Sequence, residues 1–338
     1  MKLFLILWPL GIISNVLYAA NKTPKIALKW RMDGVKEDTD DKSKTYGAGK
    51  EFKFQIPYLR FGIKGGITAG LTYRVRFRLN KTLASDGTGD QTGRGLNYAY
   101  VEKKVNGDLK LRIGKQGLYR GGWEAALSSK EEYSFSPNRF SFYALGVGAF
   151  YQFAQQKFIF QVLNNSHDSN NQSLPLYGVH WLSSFFKGVI NPIVSYHVDP
   201  FEQSAASKVK GKYTYLAFGN RLKVQDFTFD FDYLINKSDK TSAVDKAIKN
   251  RGYVARMAYQ WGFWRPQMKY SRIVTEGNIQ KATKGAGEDT DFHIALEYYP
   301  AGNTSFRYHV AHITEKFAAQ AAPAIKQTTI KFGIAGIF

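Results

Sequence analysis

The feature that most constrains this chain is an alternation of apolar and polar residues with a period of two. The clearest run is residues 67–79, in which every second residue from Ile67 is apolar and the others are threonines, a glycine and three arginines. Residues 227–235 repeat the pattern, with aromatic residues on one face and two aspartates on the other. A period of two indicates β-strands, each with one apolar and one polar face.

The connections between these strands alternate between short and long. Seven short turns are predicted near 64–66, 106–108, 155–156, 187–188, 225–226, 262–263 and 300–303. Eight long polar stretches separate them, near 34–50, 80–95, 118–139, 164–175, 199–211, 237–250, 275–290 and 316–325. This pattern predicts sixteen antiparallel strands with both termini on the short-turn side. An even strand number with short turns at one rim and long loops at the other is typical of a bacterial transmembrane β-barrel.

Composition agrees with a barrel. The 338 residues are 44% hydrophobic with a mean hydropathy of −0.34, as expected when a polar lumen dilutes an apolar outer face. No run of about 18 apolar residues follows residue 20, which excludes a helical span there. The chain has no Cys, which excludes disulfides and thiol chemistry. A soluble secreted β-sandwich or β-helix is the alternative fold.

The first residues predict export. Met1 and Lys2 precede an apolar stretch, and small residues follow it, as in a secretory signal peptide. We expect residues 1–19 to be the signal, with cleavage after Ala19 preferred over Ala20, and residues 20–338 to form the barrel. The formal charge of +20 falls by one when Lys2 is removed. Export argues against the nucleic-acid partner that such a charge would otherwise suggest.

The last strand indicates where the protein is located. Residues 325–338 alternate and end on Phe338. A chain that stops on an aromatic residue at the end of an alternating strand resembles the C-terminal recognition element of bacterial outer-membrane proteins. Together with the signal peptide, this ending predicts the outer membrane as the location.

The parity of the strands predicts the charge of the lumen. If the apolar positions face lipid, the opposite positions line the interior, because Arg or Lys facing lipid at mid-bilayer costs roughly 2–4 kcal/mol. By this test three acids point inward, Asp230, Asp232 and Glu297. The basic residues assigned inward are Lys29, Arg31, Arg74, Arg76, Arg78, Lys110, Arg112, Arg221, Lys223, Arg256, Arg265, Lys269, Arg307 and Lys331.

Arg74, Arg76 and Arg78 form a column, since successive same-face residues of a strand lie about 7 Å apart. Such a column could pass an anion from one guanidinium to the next, and the planar guanidinium fits phosphate or carboxylate. The alternative is that these arginines pair with acids across the lumen and only brace the wall.

Three segments carry a family resemblance: residues 52–66, the arginine-bearing third strand and residues 109–115. They resemble the opening strands of the phosphate-selective porin O and P family. The resemblance implies a homotrimer of sixteen-stranded barrels that passes anions. In sixteen-stranded porins the loop after the fifth strand folds inward and narrows the pore, which here is residues 118–139 with Arg120 on the anion path. The alternative is an ordinary exposed loop.

We therefore expect a passive, water-filled, anion-preferring porin for phosphate, polyphosphate, chloride or organic anions, with no cofactor, metal or catalytic residue. A general non-selective porin, a sugar porin and a surface adhesin or receptor barrel are the alternatives. An outer-membrane hydrolase built on Ser195 and His197 is the enzyme alternative. The acidic run 37–41 could bind divalent cations, or be a solvated loop.

Overall fold

A computed structural model describes most of the chain. The described residues are 23–40, 49–80, 95–127, 143–164, 174–202, 210–239, 247–276, 287–300, 305–319 and 324–338. The predicted signal peptide, residues 1–19, lies outside these ranges.

The described chain is almost entirely β-strand. One short α-helix, α1 (Trp123–Ala126), follows the fifth strand, and one 3-10 turn (Phe186–Gly188) precedes the ninth. Within the described ranges no helix is long and apolar enough to cross a membrane. The strands are β1 (Lys25–Thr39), β2 (Gly49–Thr68), β3 (Leu71–Arg78), β4 (Leu96–Lys104), β5 (Leu109–Gly117), β6 (Tyr143–Phe153), β7 (Gln156–Leu163), β8 (Leu176–Ser183), β9 (Ile190–Glu202), β10 (Lys210–Val224), β11 (Phe227–Ser238), β12 (Ile248–Tyr259), β13 (Trp264–Glu276), β14 (Gly287–Tyr298), β15 (Phe306–Ala319) and β16 (Ile325–Ile337).

The sixteen strands close into one barrel. Each strand pairs antiparallel with its neighbours in sequence, and β1 pairs with β16 to complete the ring. The seam ends in two hydrogen bonds between Leu28 and Phe338, in which each backbone N–H donates to the other residue's carbonyl at 2.8 Å. The predicted sixteen-stranded antiparallel barrel is confirmed, and both ends of the described chain lie at the short-turn rim.

The first short turn was predicted wrongly. Residues 64–66 stay in β2, and the chain reverses at Ala69 and Gly70 instead, so the predicted single strand 67–79 is divided between β2 and β3. Gly70 takes a left-handed φ of 73° that most side chains disfavour, and its carbonyl accepts a hydrogen bond from the Lys104 N–H at 2.7 Å. A β-bulge at Gly66–Thr68 resets the register before the turn.

Several strands continue further into the predicted loops than expected. β1 extends to Thr39 and β9 to Glu202, whereas loops had been assigned from 34 and 199. The strand ends carry charged residues that resemble loop sequence. They remain paired in the sheet, and ion pairs such as Lys53–Glu37 at 3.1 Å link neighbouring strands there.

The two faces of the sheet differ as the alternation predicted. On β12, Tyr253 and Met257 are exposed on the outside, whereas Val254 and Arg256 are buried on the inside. Large apolar side chains cover the outer face of other strands in the same way, including Phe160 on β7 and Ile294 on β14. The barrel thus presents apolar side chains outward and polar groups inward. A ring of sixteen strands is wide enough to leave an aqueous channel.

Candidate functional site

The loop after β5 enters the barrel. The N–H of Tyr119 donates to the side-chain carbonyl of Gln161 on β7 at 2.9 Å, and the N–H of Gly121 donates to the hydroxyl of Ser195 on β9 at 2.9 Å. Both acceptors are buried on the inner face. Residues 118–127 therefore lie within the lumen, as the prediction for this loop required. Its remaining residues, 128–139, lie outside the described ranges.

A carboxylate on the far wall holds the tip of this segment. The two oxygens of Asp232 on β11 accept hydrogen bonds from the backbone N–H groups of Trp123 and Glu124, both at 2.7 Å. Gly122 permits this approach, because a Cβ there would overlap the Asp232 carboxylate. We call Asp232 with these two N–H donors the loop latch.

Two further contacts fix the same segment. The indole N–H of Trp123 donates to the carbonyl of Asn191 at 2.8 Å, and the guanidinium of Arg221 lies 4.1 Å from the centre of the Trp123 ring. The carboxylate of Glu124 pairs with the ammonium of Lys269 on β13 at 2.6 Å. The described loop is thus attached to inner faces from β7 to β13.

The position of the loop locates the opening. In a closed ring of sixteen strands, β11 lies opposite β3. Because the described loop packs against the β7–β13 wall, the space next to it is bounded on the other side by β1 to β4.

That opposite wall carries four arginines. The column Arg74, Arg76 and Arg78 runs along β3, and Arg60 on β2 pairs in register with Arg78. Lys29 on β1 pairs in turn with Arg60, which makes a row of three cations across three strands. We call Arg60, Arg74, Arg76 and Arg78 the arginine wall.

Aromatic rings support the arginine wall. The guanidinium carbons of Arg76 and Arg74 lie 3.8 and 4.7 Å from the centre of the Tyr98 ring on β4. Arg76 also donates to the Tyr143 hydroxyl at 3.0 Å, and Arg60 lies over the Tyr58 ring at 4.3 Å. Cation–π contacts of this kind stabilise a cation without cancelling its charge.

The arginine wall differs from the other inward cations in its partners. Within the described ranges, none of its four guanidinium groups forms an ion pair with a carboxylate. Like charges side by side on neighbouring strands are unfavourable. An anion between them would relieve that repulsion.

Most other basic residues predicted to line the pathway are in ion pairs. These contacts brace the wall of the barrel, which is the alternative role given above for the arginines of the lumen. The pairs are Arg31–Asp33 (2.6 Å), Lys110–Glu102 (3.6 Å), Arg112–Glu102 (2.6 Å), Arg221–Asp230 (2.5 Å), Arg256–Asp230 (3.0 Å), Arg265–Glu297 (3.5 Å), Lys269–Glu124 (2.6 Å) and Arg307–Glu297 (2.9 Å).

The parity test undercounted the inward acids. It assigned three, and the structure adds, among others, Asp33 on β1, Glu102 on β4, Asp199 on β9 and Asp291 on β14, besides Glu124 from the loop. Glu102 precedes two lysines at the short-turn rim, where charged residues occupy both faces and hide the alternation.

The remaining predicted residues occupy different places. Lys223 is exposed at the short-turn end of β10, and Lys331 lies on β16 in register with Val35 and Ala311. Arg120 lies in the loop with its guanidinium 3.8 Å from the centre of the Tyr215 ring. Burial lowers the pKa of Arg120, and the neighbouring Tyr215 and Asp199 oppose that shift.

Arg60 and the tyrosines beneath the wall are not among the residues predicted from the sequence. A signal for Arg60 was present, because Leu59, Phe61 and Ile63 alternate with Arg60 and Lys64. No comparable signal identified Tyr98, since its role depends on the pairing of β4 with β3.

Comparison with known proteins agrees with this architecture. The family profile described as "Phosphate-selective porin O and P" matches residues 26–202. The chain belongs to the phosphate-selective porin O and P family. No curated protein matches this chain.

Solved structures show the same fold at low sequence identity. The outer-membrane channel DcaP of Acinetobacter baumannii is 11% identical with a TM-score of 0.74, covering 94% of this chain and 97% of that one. The anion-selective porin of Comamonas acidovorans is 12% identical with a TM-score of 0.68, covering 94% and 99%. OmpT of Vibrio cholerae in its trimer form is 12% identical with a TM-score of 0.62, covering 94% and 100%. Membership of the porin O and P family, together with this shared fold, identifies the porin as an outer-membrane channel of the bacterial cell.

Weakening the loop latch should change the opening and closing of the channel. Asp232→Asn retains one acceptor oxygen, so one of the two N–H bonds of the latch is lost, weakening the anchor by about 2 kcal/mol. We expect more frequent closures and a noisier open state in single-channel recordings. Asp226→Asn, at an exposed short turn, is the matched control and should record like the unaltered porin. Equal noise in all three proteins would show that the latch does not hold the loop.

Proposed function

We propose that this porin is an anion-preferring diffusion channel and that the arginine wall sets its preference. The observation that carries the proposal is the wall itself, four guanidinium groups opposite the inserted loop with no carboxylate paired to them in the described ranges. The family description and the anion-selective porin from Comamonas acidovorans support the same sign of selectivity.

The mechanism is electrostatic and involves no covalent step. Positive charge on one wall of a low-dielectric channel raises the local concentration of anions. Arginines about 7 Å apart along β3 then offer successive sites, and several moderately weak sites conduct better than one tight site. Because the tyrosine rings already hold Arg74 and Arg76, less side-chain ordering is needed when an anion arrives.

Phosphate is the anion that this wall would favour over chloride. A guanidinium offers two parallel N–H groups that match the oxygens of a phosphate or carboxylate. Neighbouring groups such as Arg60 and Arg78, in register on adjacent strands, could share one multivalent oxyanion. Condensed phosphates and organic anions with several carboxylates meet the same requirement.

The arginine wall predicts the sign and the size of the selectivity. Replacing Arg74, Arg76 and Arg78 by Gln should shift the reversal potential in a salt gradient toward zero, because the anion-to-cation permeability ratio falls by roughly threefold or more. Phosphate added at millimolar concentration should block chloride current in the unaltered channel and much less in the variant.

The matched control removes three positive charges from the outside of the barrel. Lys249, Arg251 and Arg272 lie on the outward face of β12 and β13, and their replacement by Gln should leave the reversal potential unchanged. A cation-preferring unaltered channel, or equal shifts in both triple variants, would contradict the proposal.

Tyr98 provides a second test of the wall. Tyr98→Leu removes the ring that two guanidinium groups share and leaves every charge in place. We expect weaker phosphate block with little change in the sign of selectivity, because the arginines lose their fixed positions. Tyr98→Phe keeps the ring, and phosphate should block this variant as strongly as it blocks the unaltered channel. Identical block in the Leu and Phe variants would show that the ring does not position the arginines.

We propose further that the porin assembles as a homotrimer through the outer face of β3 to β9. This face contains an apolar groove of about 750 Å³, lined by residues that include Leu71, Val101, Ile113 and Val147. A contiguous apolar depression of this size suits a packed protein neighbour. OmpT of Vibrio cholerae, which shares the fold, was determined in a trimer form.

A bulky side chain in the groove tests this assembly. Val147→Trp should lower the oligomer mass in native mass spectrometry, since the ring fills the space that a second copy would occupy. Ile294→Trp, on the equally exposed outer face of β14, is tolerated by lipid and should preserve the oligomer. An unchanged mass for Val147→Trp would place the contact elsewhere.

A further inference from the structure

The outward face of the barrel has a basic region at the long-loop rim. It spans β11 to β16, where the outward positions turn from apolar to charged toward the loops. We call it the rim belt, and its basic residues are Lys237, Lys249, Arg251, Arg272, Lys316 and Lys326.

Two lysines of the rim belt are directly opposite each other. Lys316 on β15 pairs in register with Lys326 on β16, and both side chains are exposed. Through Thr290 on β14 the same row reaches Arg272 on β13. Directly opposed side chains lie about 5 Å apart, and like charges at that distance destabilise a sheet.

Carboxylates form ion pairs with other members of the rim belt, and Glu288 also interacts electrostatically with Lys316 without forming an ion pair with it. Glu276 pairs with Arg251 at 3.3 Å, and Glu288 pairs with Arg272 at 2.7 Å. Among the described residues, neither Lys316 nor Lys326 has an ion pair through its ammonium group. Asp40 accepts a hydrogen bond from the backbone N–H of Lys326 and leaves that ammonium group available.

The lysine pair lies where the hydrocarbon region ends. On the outward face of β16 the residues run from Phe332 and Ile330 through Thr328 to Lys326. On β15 they run from Val310 through His312 and Thr314 to Lys316. Apolar side chains followed by a hydroxyl and then a cation match the change from acyl chains to lipid headgroups.

We propose that Lys316 and Lys326 bind a headgroup phosphate of a lipid in the outer leaflet. Long loops face the cell exterior in such barrels, which places the rim belt in that leaflet. A phosphate between two ammonium groups accepts a hydrogen bond from each and removes their mutual repulsion. The site lies on the outer surface and is independent of the ions that pass through the lumen.

The test measures lipid retention by the full-length, refolded porin. Native mass spectrometry would count bound bisphosphorylated lipid A on the unaltered protein and on a Lys316→Gln, Lys326→Gln variant. We expect the variant to bind roughly thirtyfold more weakly, because each of the two basic residues near a membrane surface contributes about a fivefold step. Lipid A with one phosphate removed should show a smaller difference between the two proteins.

The matched control replaces two exposed lysines at the opposite rim, Lys103 and Lys104 at the end of β4. This Lys103→Gln, Lys104→Gln variant should retain lipid like the unaltered porin, and all three should resist unfolding by heat in detergent. Equal retention by the rim-belt variant and the unaltered porin would overturn the proposal. So would displacement of the lipid by millimolar inorganic phosphate, which would indicate a free-phosphate site instead.

Discussion

Closure of the sheet by β1 and β16 is the constraint on which every other feature depends. In hydrocarbon an unpaired row of backbone N–H and C=O groups costs several kcal/mol for each group, so an open edge is not tolerated. The seam runs from the Leu28–Phe338 pair at the short-turn rim to Thr39 and Gln327 at the other. Once the ring is closed, each side chain must face either lipid or lumen, and alternation along the strands decides which.

The lumen uses its charges in two different ways. From β10 to β16, at Arg31 on β1 and at Glu102 on β4, inward cations meet carboxylates, and networks such as Arg221–Asp230–Arg256 join neighbouring strands. In the arginine wall on β2 and β3, Arg60, Arg74 and Arg76 instead lie over tyrosine rings. The inserted loop is attached to the first kind of wall by Asp232 and Lys269, and therefore lies opposite the second kind. The braced half positions the loop, and the other half keeps its positive charge.

Much of this arrangement follows from periodicity. Strand number, closure and the outward apolar face were predictable because the period of two is local and the bilayer enforces it. The turn at Gly70 was missed because the glycines at 65 and 66 looked like a turn and instead continue an extended strand. The partners of the lumen residues were less predictable. Glu102 pairs with Arg112 on the next strand, and Asp232 binds loop residues that lie more than a hundred positions earlier in the chain. Both contacts depend on the strand register and on the curvature of the barrel.

The choice of tyrosine over carboxylate beneath the arginine wall has a physical consequence. An acid beside Arg76 would stabilise the guanidinium more strongly, and it would also cancel the field that draws anions into the channel. The Tyr98 ring, 3.8 Å from that guanidinium, provides contact and orientation while the full positive charge remains. The repulsion between Arg60 and Arg78 is the cost of this arrangement. The contacts of Arg60 with Tyr58 and of Arg76 with Tyr98 and Tyr143 offset part of that cost within the wall itself.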